Sequence, residues 1–422
     1  MNIDKESLLA LAGRIGYQLC RDAIWDGDCC NWLGWRTDFQ DRTPIYRWSS
    51  LGPSVYDGTA GVALFLAQLA RQTAEPEYRS TALGAMRHAM LHIDEVGGTI
   101  QSGFYSGAFG IGVTSVLVGL ALEVDSLIAE GLCLLQNAAR VIDSEHEIDV
   151  VGGSAGVIPL LLGCSRRFGL DELVELAQLH VQHILRRSTR SASATGEDER
   201  NWIQPNLSPM GLTGYSHGNA GFANALLEVH QVVGDADLLV AVRETLRFER
   251  RHFDVAQSNW FDLREFAKGS TLSCASAWCH GAPGIGLARI RTRELLAEDA
   301  HVPLEIKAAL DATNRMLTQA VQSDANYSLC HGLFGNAELL LTAIQTKQED
   351  EVSQIALTDV LAGAIERYGI TDRPWICGTN DGRATPGLML GISGIGYFLL
   401  RVIDASTPNV LLLTPSTIDH RS

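Results

Sequence analysis

Two apolar patterns alternate along the chain. One is hydrophobic nearly all round at helical length, as in VALFLAQLA (62–70), VIPLLLG (157–163), FANALLEVHQVV (222–233) and IGYFLLRVI (395–403). The other places apolar residues three and four apart with charges on the opposite side. Examples are EYRSTALGAMRHAMLHI (77–93), DELVELAQLHVQHILRR (171–187), DLLVAVRETLRFERRHF (237–253) and EIKAALDATNRMLTQAV (305–321). The first pattern predicts helices buried on every side, the second helices with one face on a core. Strand-like alternation is nearly absent.

A Gly-x-x-Gly element precedes each fully apolar run. It occurs at Gly58/Gly61, Gly107/Gly110, Gly153/Gly156, Gly218/Gly221, Gly281/Gly284, Gly332/Gly335 and Gly391/Gly394, at steps of 46 to 65 residues. One such pair carries no information; seven, each opening the same kind of segment, define a repeat. The simplest assembly is seven helical hairpins, each with an outer amphipathic and an inner apolar helix. Closed on itself, that is an all-α fold, an α/α toroid of about fourteen helices. The glycines would sit in the loop entering each inner helix, where backbone packs too closely for a Cβ. No strand–GxxxxGK[ST]–helix context marks a phosphate loop. The chain reads as one domain over 1–422: an N-terminal outer helix and entry segment (1–50), the repeat toroid (51–405) and a C-terminal tail (406–422). The polar stretch 186–200 is expected to be a mobile surface loop.

Charge and composition narrow the function classes. The 422 residues include 33 Lys and Arg against 49 Asp and Glu, a net charge of −16. That balance argues against binding nucleic acid or an anionic membrane, which needs clustered cations. With 46% hydrophobic and 19% charged residues, the chain can bury a large core. The apolar stretch Val113–Val124, interrupted by Thr114, Ser115 and Glu123, is too short to span a bilayer. The N-terminus lacks the apolar core and cleavage site of a signal peptide, so a cytoplasmic protein is expected. Nine cysteines are too few for a disulfide scaffold of this length; beside histidines they read as metal ligands or nucleophiles.

Aligning the repeats on the first glycine gathers that chemistry. The fourth reads Tyr215-Ser216-His217, the fifth Trp278-Cys279-His280 and the sixth Leu329-Cys330-His331. If the repeats are equivalent in space, two thiols and up to three imidazoles face one end of the fold. Singly, each reads better as a buried thiol or a satisfied core histidine. Together, two thiolates and an imidazole are the ligand set of a tetrahedral zinc site, and a fourth position left open makes it catalytic. Repeat geometry does not choose between His280 and His331 as the nitrogen ligand. Such a zinc suits a substrate thiol, whose free pKa of about 8.5 falls on coordination. The alternative is an activated water, for which no His-Glu-x-x-His is present. A thiolate adding to carbon leaves a carbanion to be protonated, and His217 in the neighbouring repeat is placed to do it. Asp149, in DVVGGSAG, would face the same cavity and support the imidazole; on position alone it could equally be a helix cap.

Several segments resemble lanthionine synthetase C-like cyclases: WCHGAPGIG (278–286), CHGLFGN (330–336), SHGNAGFANAL (216–226), YDGTAGVALFLA (56–67) and TPGLMLGISGIGYFLLR (385–401). The match runs from about Asn31 to the C-terminus. The resemblance implies an α/α toroid with one Zn2+ held by Cys279, Cys330 and His331. It implies Michael-type addition of peptide cysteine thiols to dehydroalanine or dehydrobutyrine, forming lanthionine and methyllanthionine. His217 would protonate the enolate or deprotonate the thiol, with Asp149 as its partner. DGDCCNWLGW (26–35), ERRHFDVAQSNWFDLR (249–264), WCHGAPG and PNVLLLTP (408–415) are more similar to the cyclase half of class II bifunctional lanthipeptide synthetases. The implied partners are a dehydrated precursor peptide, leader plus core, and a dehydratase. Many standalone cyclases have Tyr where this chain has His280, and Arg where it has Ala275. His280 is therefore given no catalytic role; with Trp278 and Tyr215 it is kept as a candidate substrate contact. Three other functions compete: addition of glutathione or another small thiol to dehydrated proteins, a non-catalytic peptide-binding scaffold, and a zinc hydrolase.

Overall fold

The protein is described by a computed structural model covering residues 4–419 except 41–42, 98–101, 144–145, 193–195, 206, 265–271, 322, 349–350 and 372. Of 36–40, 43, 44 and 46 it describes the backbone alone. Among the described residues there are fourteen α-helices. Seven follow the Gly-x-x-Gly elements: α2 (Thr59–Thr73), α4 (Ala108–Leu122), α6 (Ser154–Phe168), α8 (Asn219–Val233), α10 (Ala282–Leu295), α12 (Leu333–Gln345) and α14 (Ile392–Ile403). The other seven are α1 (Lys5–Asp22), α3 (Pro76–Leu91), α5 (Asp125–Ala139), α7 (Glu172–Arg186), α9 (Ala236–Arg251), α11 (Val302–Ala320) and α13 (Glu351–Tyr368). None is long and apolar enough to cross a membrane.

The two predicted classes are both present. In α4 every residue from Ala108 to Gly119 is buried, whereas α9 buries Leu238, Ala241, Val242, Thr245, Leu246 and Phe248 and turns Arg243 and Arg251 outward. The first glycine of six pairs is the residue capping the enclosed helix, and Gly332 stands immediately before α12. The second glycine has one recurrent reason. A Cβ at Gly61, Gly110, Gly156, Gly221, Gly284 or Gly394 would collide with the carbonyl oxygen six residues earlier. The loop thus folds back onto the first turn of its own helix, and only a residue without a side chain lets it lie there. At the far end, left-handed residues turn the chain into the next helix: Ala74, Glu123, Gly169 and Gly234.

The chain divides into two compact units. The first comprises residues 1–141, 320–334 and 358–408, and contains α1 to α5 and α14. Its core is built on enclosed helices: Phe334 stacks on Phe398 with ring centroids 4.7 Å apart, and Tyr397 donates its hydroxyl to the Pro408 carbonyl. The second comprises 142–319, 335–357 and 409–422, and contains α6 to α11. Its C-terminal tail is an integral strap. The Trp278 indole N–H donates to the Leu411 carbonyl (2.8 Å), the Leu413 N–H donates to the Tyr215 hydroxyl (3.0 Å), and Arg166 holds Asp419 (2.9 Å).

Strands are more frequent than the sequence pattern indicates. Among the described residues four antiparallel hairpins occur: β1 (Ile24–Asp26) with β2 (Cys29–Asn31), β3 (Leu33–Gln40) with β4 (Thr43–Ser50), β5 (Thr189–Ala192) with β6 (Asp198–Asn201), and β7 (Phe253–Asp254) with β8 (Asn259–Trp260). The third corrects the reading of 186–200 as a surface loop without structure, residues 193–195 lying outside the described ones. Arg190 and Arg200, on opposite strands, both pair with the buried carboxylate of Glu244 on α9. A carboxylate buried to that degree requires cations, and the hairpin delivers them.

Candidate functional site

The residues five positions before each second glycine occupy equivalent places. In the first unit, Cys330 N–H donates to the Met389 carbonyl (2.9 Å), Met389 to Tyr56 (2.8 Å) and Tyr56 to Tyr105 (2.8 Å). In the second unit, Ser216 N–H donates to the Cys279 carbonyl (3.4 Å), reinforced by the Ser216 hydroxyl at 2.9 Å, while Val150, one position earlier in its own repeat, donates its N–H to the Ser216 carbonyl (3.1 Å). Successive repeats are therefore stitched backbone to backbone at the position of the two cysteines, and the next position carries His217, His280 and His331. The sequence alignment of the repeats thus carries over to the backbone, with the third repeat displaced by one residue.

The second unit brings Asp149, Tyr215, His217, Trp278, Cys279 and His280 into one neighbourhood. Asp149 ends the loop before α6. Its Oδ1 accepts the Gly152 N–H at 2.8 Å, which leaves Oδ2 for the His217 Nδ1 at 2.6 Å. Asp149 is 5% exposed and the His217 side chain 26%, so the pair is buried at the carboxylate and open at the imidazole. The His217 carbonyl accepts from Gln204 at 2.5 Å. Burial works to lower the pKa of His217, but the charge and hydrogen bond of Asp149 outweigh it, with Cys279 adding to them, and the pKa is raised.

His280 lies beside it, rings stacked at 5.7 Å, and is buried. Burial first, then the charges of Arg264 and His217, push its pKa well below the ordinary value. Two adjacent imidazoles are thus driven apart in acidity. Arg264 grips the buried Asp262 through Nη2 (2.6 Å) and Nε (3.0 Å). Sequence reasoning did not find Asp262, Arg264 or Gln204; they come from connecting segments with no repeat signature. Trp278 and Tyr215 are fully buried and engage the tail, which places the cysteine and histidine that follow each of them. Gly281, unlike the other capping glycines, has φ +101°, a left-handed conformation that closes the turn in which the Ala277 N–H meets the His280 carbonyl (3.0 Å).

The remaining predicted residues lie in the first unit. Cys330 is buried, and the exposed His331 is anchored by a hydrogen bond from its ring to the Gly378 backbone. Within either unit, among the described residues, no three His, Cys, Asp or Glu side chains gather closely enough to hold a metal ion. The donors named by the resemblance are divided: Cys279 belongs to the second unit, Cys330 and His331 to the first. Their chemistry fits zinc. Two thiols and an imidazole are borderline-soft donors, and an imidazole fixed by a backbone carbonyl has the orientation that metal-binding histidines need.

A profile of the family described as lanthionine synthetase C-like protein matches residues 49–413. Among curated proteins, the lacticin 481/lactococcin biosynthesis protein LcnDR2 of Lactococcus lactis subsp. lactis is 29% identical over 202 residues, 46% of this chain. The match spans 20% of that relative's length. Among solved structures, nisin cyclase superposes with a TM-score of 0.62 at 18% identity, over 82% of this chain and 88% of the other. That likeness shows the fold class, an α/α toroid.

Proposed function

Because the chain belongs to the lanthionine synthetase C-like family, we propose that it is a lanthipeptide cyclase, adding peptide cysteine thiols to dehydroalanine or dehydrobutyrine to close thioether rings. The observation that carries this reading is the Asp149–His217 pair at 2.6 Å, set one repeat away from a cysteine on the stitched loops. Zinc held by Cys279, Cys330 and His331 would supply the positive charge that brings a substrate thiol, with a free pKa of about 8.5, into its thiolate form.

The chain's own residues account for the proton. When sulfur bonds to the β-carbon of the dehydro residue, the alkene electron pair moves towards the α-carbon and its carbonyl. The α-carbon must then take a proton. His217, protonated and held at Nδ1 by Asp149, presents Nε2 on its open side and delivers it; the proton lost by the incoming thiol restores the imidazole. Atoms balance without a co-reactant. Run from the other end, the same imidazole is the base that deprotonates the thiol. Burial disfavours the charged form of His280, the form that a proton donor near neutral pH needs. The partners this chemistry requires are a dehydrated precursor peptide, leader plus core, and a dehydratase to make the alkenes.

The test uses a dehydrated, cysteine-containing peptide. Ring closure leaves its mass unchanged and removes its thiols from alkylation. The zinc-loaded protein is expected to protect the thiols. Cys279→Ala and Cys330→Ala are expected to lose stoichiometric zinc and that protection while keeping helical content. Cyclisation by metal-free protein well above the uncatalysed rate sinks the proposed mechanism.

A further inference from the structure

Glu249, near the end of α9, is wholly buried, and both its oxygens are used. Oε1 accepts the backbone N–H of Gly214 at 2.9 Å; Oε2 accepts from Arg289 of α10 at 2.8 Å. Arg289 is also fully buried and donates from Nε to Glu305 at 2.7 Å, which Arg250 holds from the other side at 2.6 Å. Burying such charges costs several kcal/mol per ion, and apolar residues of similar volume often serve stability as well. Among the described residues the Arg289 Nη1 is buried with no partner, so the chain of ions is not optimised for stability alone.

Its end point is the loop that carries His217. Gly214 has φ +104°, a conformation that side-chain-bearing residues rarely adopt, and a Cβ there would stand 3.2 Å from the Cys279 carbonyl and 3.3 Å from the His280 Cα. Gly214 is therefore where the fourth loop leans on the fifth. Three residues later His217 meets Asp149. The N–H of Gly214 can point in one direction only if something buried accepts it, and Glu249 is that acceptor.

We propose that Glu249 is a positioning residue: held by Arg289, it fixes the turn at Gly214 and so aims His217 at Asp149 and past the Cys279–His280 loop. The proposal rests on the reading of His217 as the proton carrier of a cyclase. A misplacement of about 1 Å in such a group lowers turnover about 10²-fold.

Two double variants differ only in the acceptor offered to Gly214. Glu249→Gln with Arg289→Met keeps an oxygen; Glu249→Met with Arg289→Met removes it. Glu305 keeps Arg250 in both. The Gln pair is expected to retain wild-type ring closure and the downfield proton resonance of the short His217–Asp149 hydrogen bond. The Met pair is expected to lose about 10²-fold in kcat and to lose that resonance, with zinc content, KM and helical content unchanged. Equal kcat and an equal His217 resonance in the two variants overturn the proposal. Should the Met pair not fold, Glu249→Asp, which keeps the charge and shortens the reach, is expected to weaken both signals; unchanged signals overturn it. If the wild type closes no rings, the cyclase reading fails, and the resonance alone still decides the role of Glu249.

Discussion

At the scale of single residues, His217 stands apart from the other histidines. Burial pushes down the pKa of His88, His146, His183, His252 and His280, whereas His217 is held up by Asp149. A raised pKa means the charged imidazole stabilises the fold below the ordinary value near 6.5, and that contribution is lost as pH rises through the folded value. The same shift favours the protonated imidazole that a proton donor needs. Asp149→Asn keeps a hydrogen-bonding side chain but removes the charge. It is expected to move the alkaline limb of the ring-closure profile to lower pH and to lower kcat by roughly 10²-fold, at the lower end of what general acid–base groups contribute. A pH–rate profile of the variant superimposing on the wild type contradicts this. His217 was legible from the repeats because it stands just before a first glycine, where His280 and His331 stand in theirs; Asp149, four residues before Gly153, was legible as a carboxylate in the corresponding loop. Glu249 was not: it is one acid among several on an amphipathic helix, and nothing in ERRHF tells which of its charges faces inward.

At the scale of elements, the glycines separate into two physical kinds. Gly234 ends α8 at φ +71° with nothing within 4 Å of where a Cβ would be. Gly234→Ala should therefore cost only backbone strain, about 1 kcal/mol, and leave ring closure intact. At Gly221 the added carbon meets the Tyr215 carbonyl and the side chain of Val150. Gly221→Ala must displace the loop bearing His217, so it is expected to lower the melting temperature several times more than Gly234→Ala and to reduce activity with it. Thermal unfolding of the two variants side by side checks this; equal losses mean the loop does not lie on its helix as described. The helices were readable because burial and amphipathicity repeat along the chain. The hairpins of 24–50 and 189–201 were not: β1, β2, β5 and β6 have only three or four residues each, and the alternation of Leu33, Trp35 and Phe39 with Arg36, Asp38 and Gln40 in β3 is a single isolated stretch. Their stability comes from outside: Trp32 buries its ring and donates its N–H to Leu19 of α1 at 2.7 Å, and Glu244 gathers Arg190 and Arg200.

At the scale of the whole molecule, the excess of acids disfavours polyanionic ligands and is compatible with a neutral or basic peptide. Its buried histidines make the fold sensitive to acid. His146 is enclosed against His180 and His183, with ring centroids 5.6 and 5.2 Å away, and burial lowers its pKa to about 4. The unfolded chain therefore binds a proton between pH about 6.5 and about 4 that the folded chain refuses, and stability falls as pH drops through that window. For His146 the loss is on the order of 3 kcal/mol by pH 4. His146→Phe is expected to flatten that part of the stability–pH curve in denaturant titrations; a curve as steep as the wild type's assigns the acid sensitivity elsewhere. Because Asp149 lies three residues on, the same enclosed loop that resists protonation also holds the carboxylate steady.

His217 is proposed to carry the proton that completes ring closure. This role is tested most directly by following the rate and product stereochemistry of a dehydrated peptide with His217→Ala in deuterated water. The variant is expected to keep its zinc, to close rings at least about 10²-fold more slowly, and to place deuterium on the α-carbon without the single configuration given by the wild type. Ring closure at the wild-type rate with the wild-type configuration contradicts it.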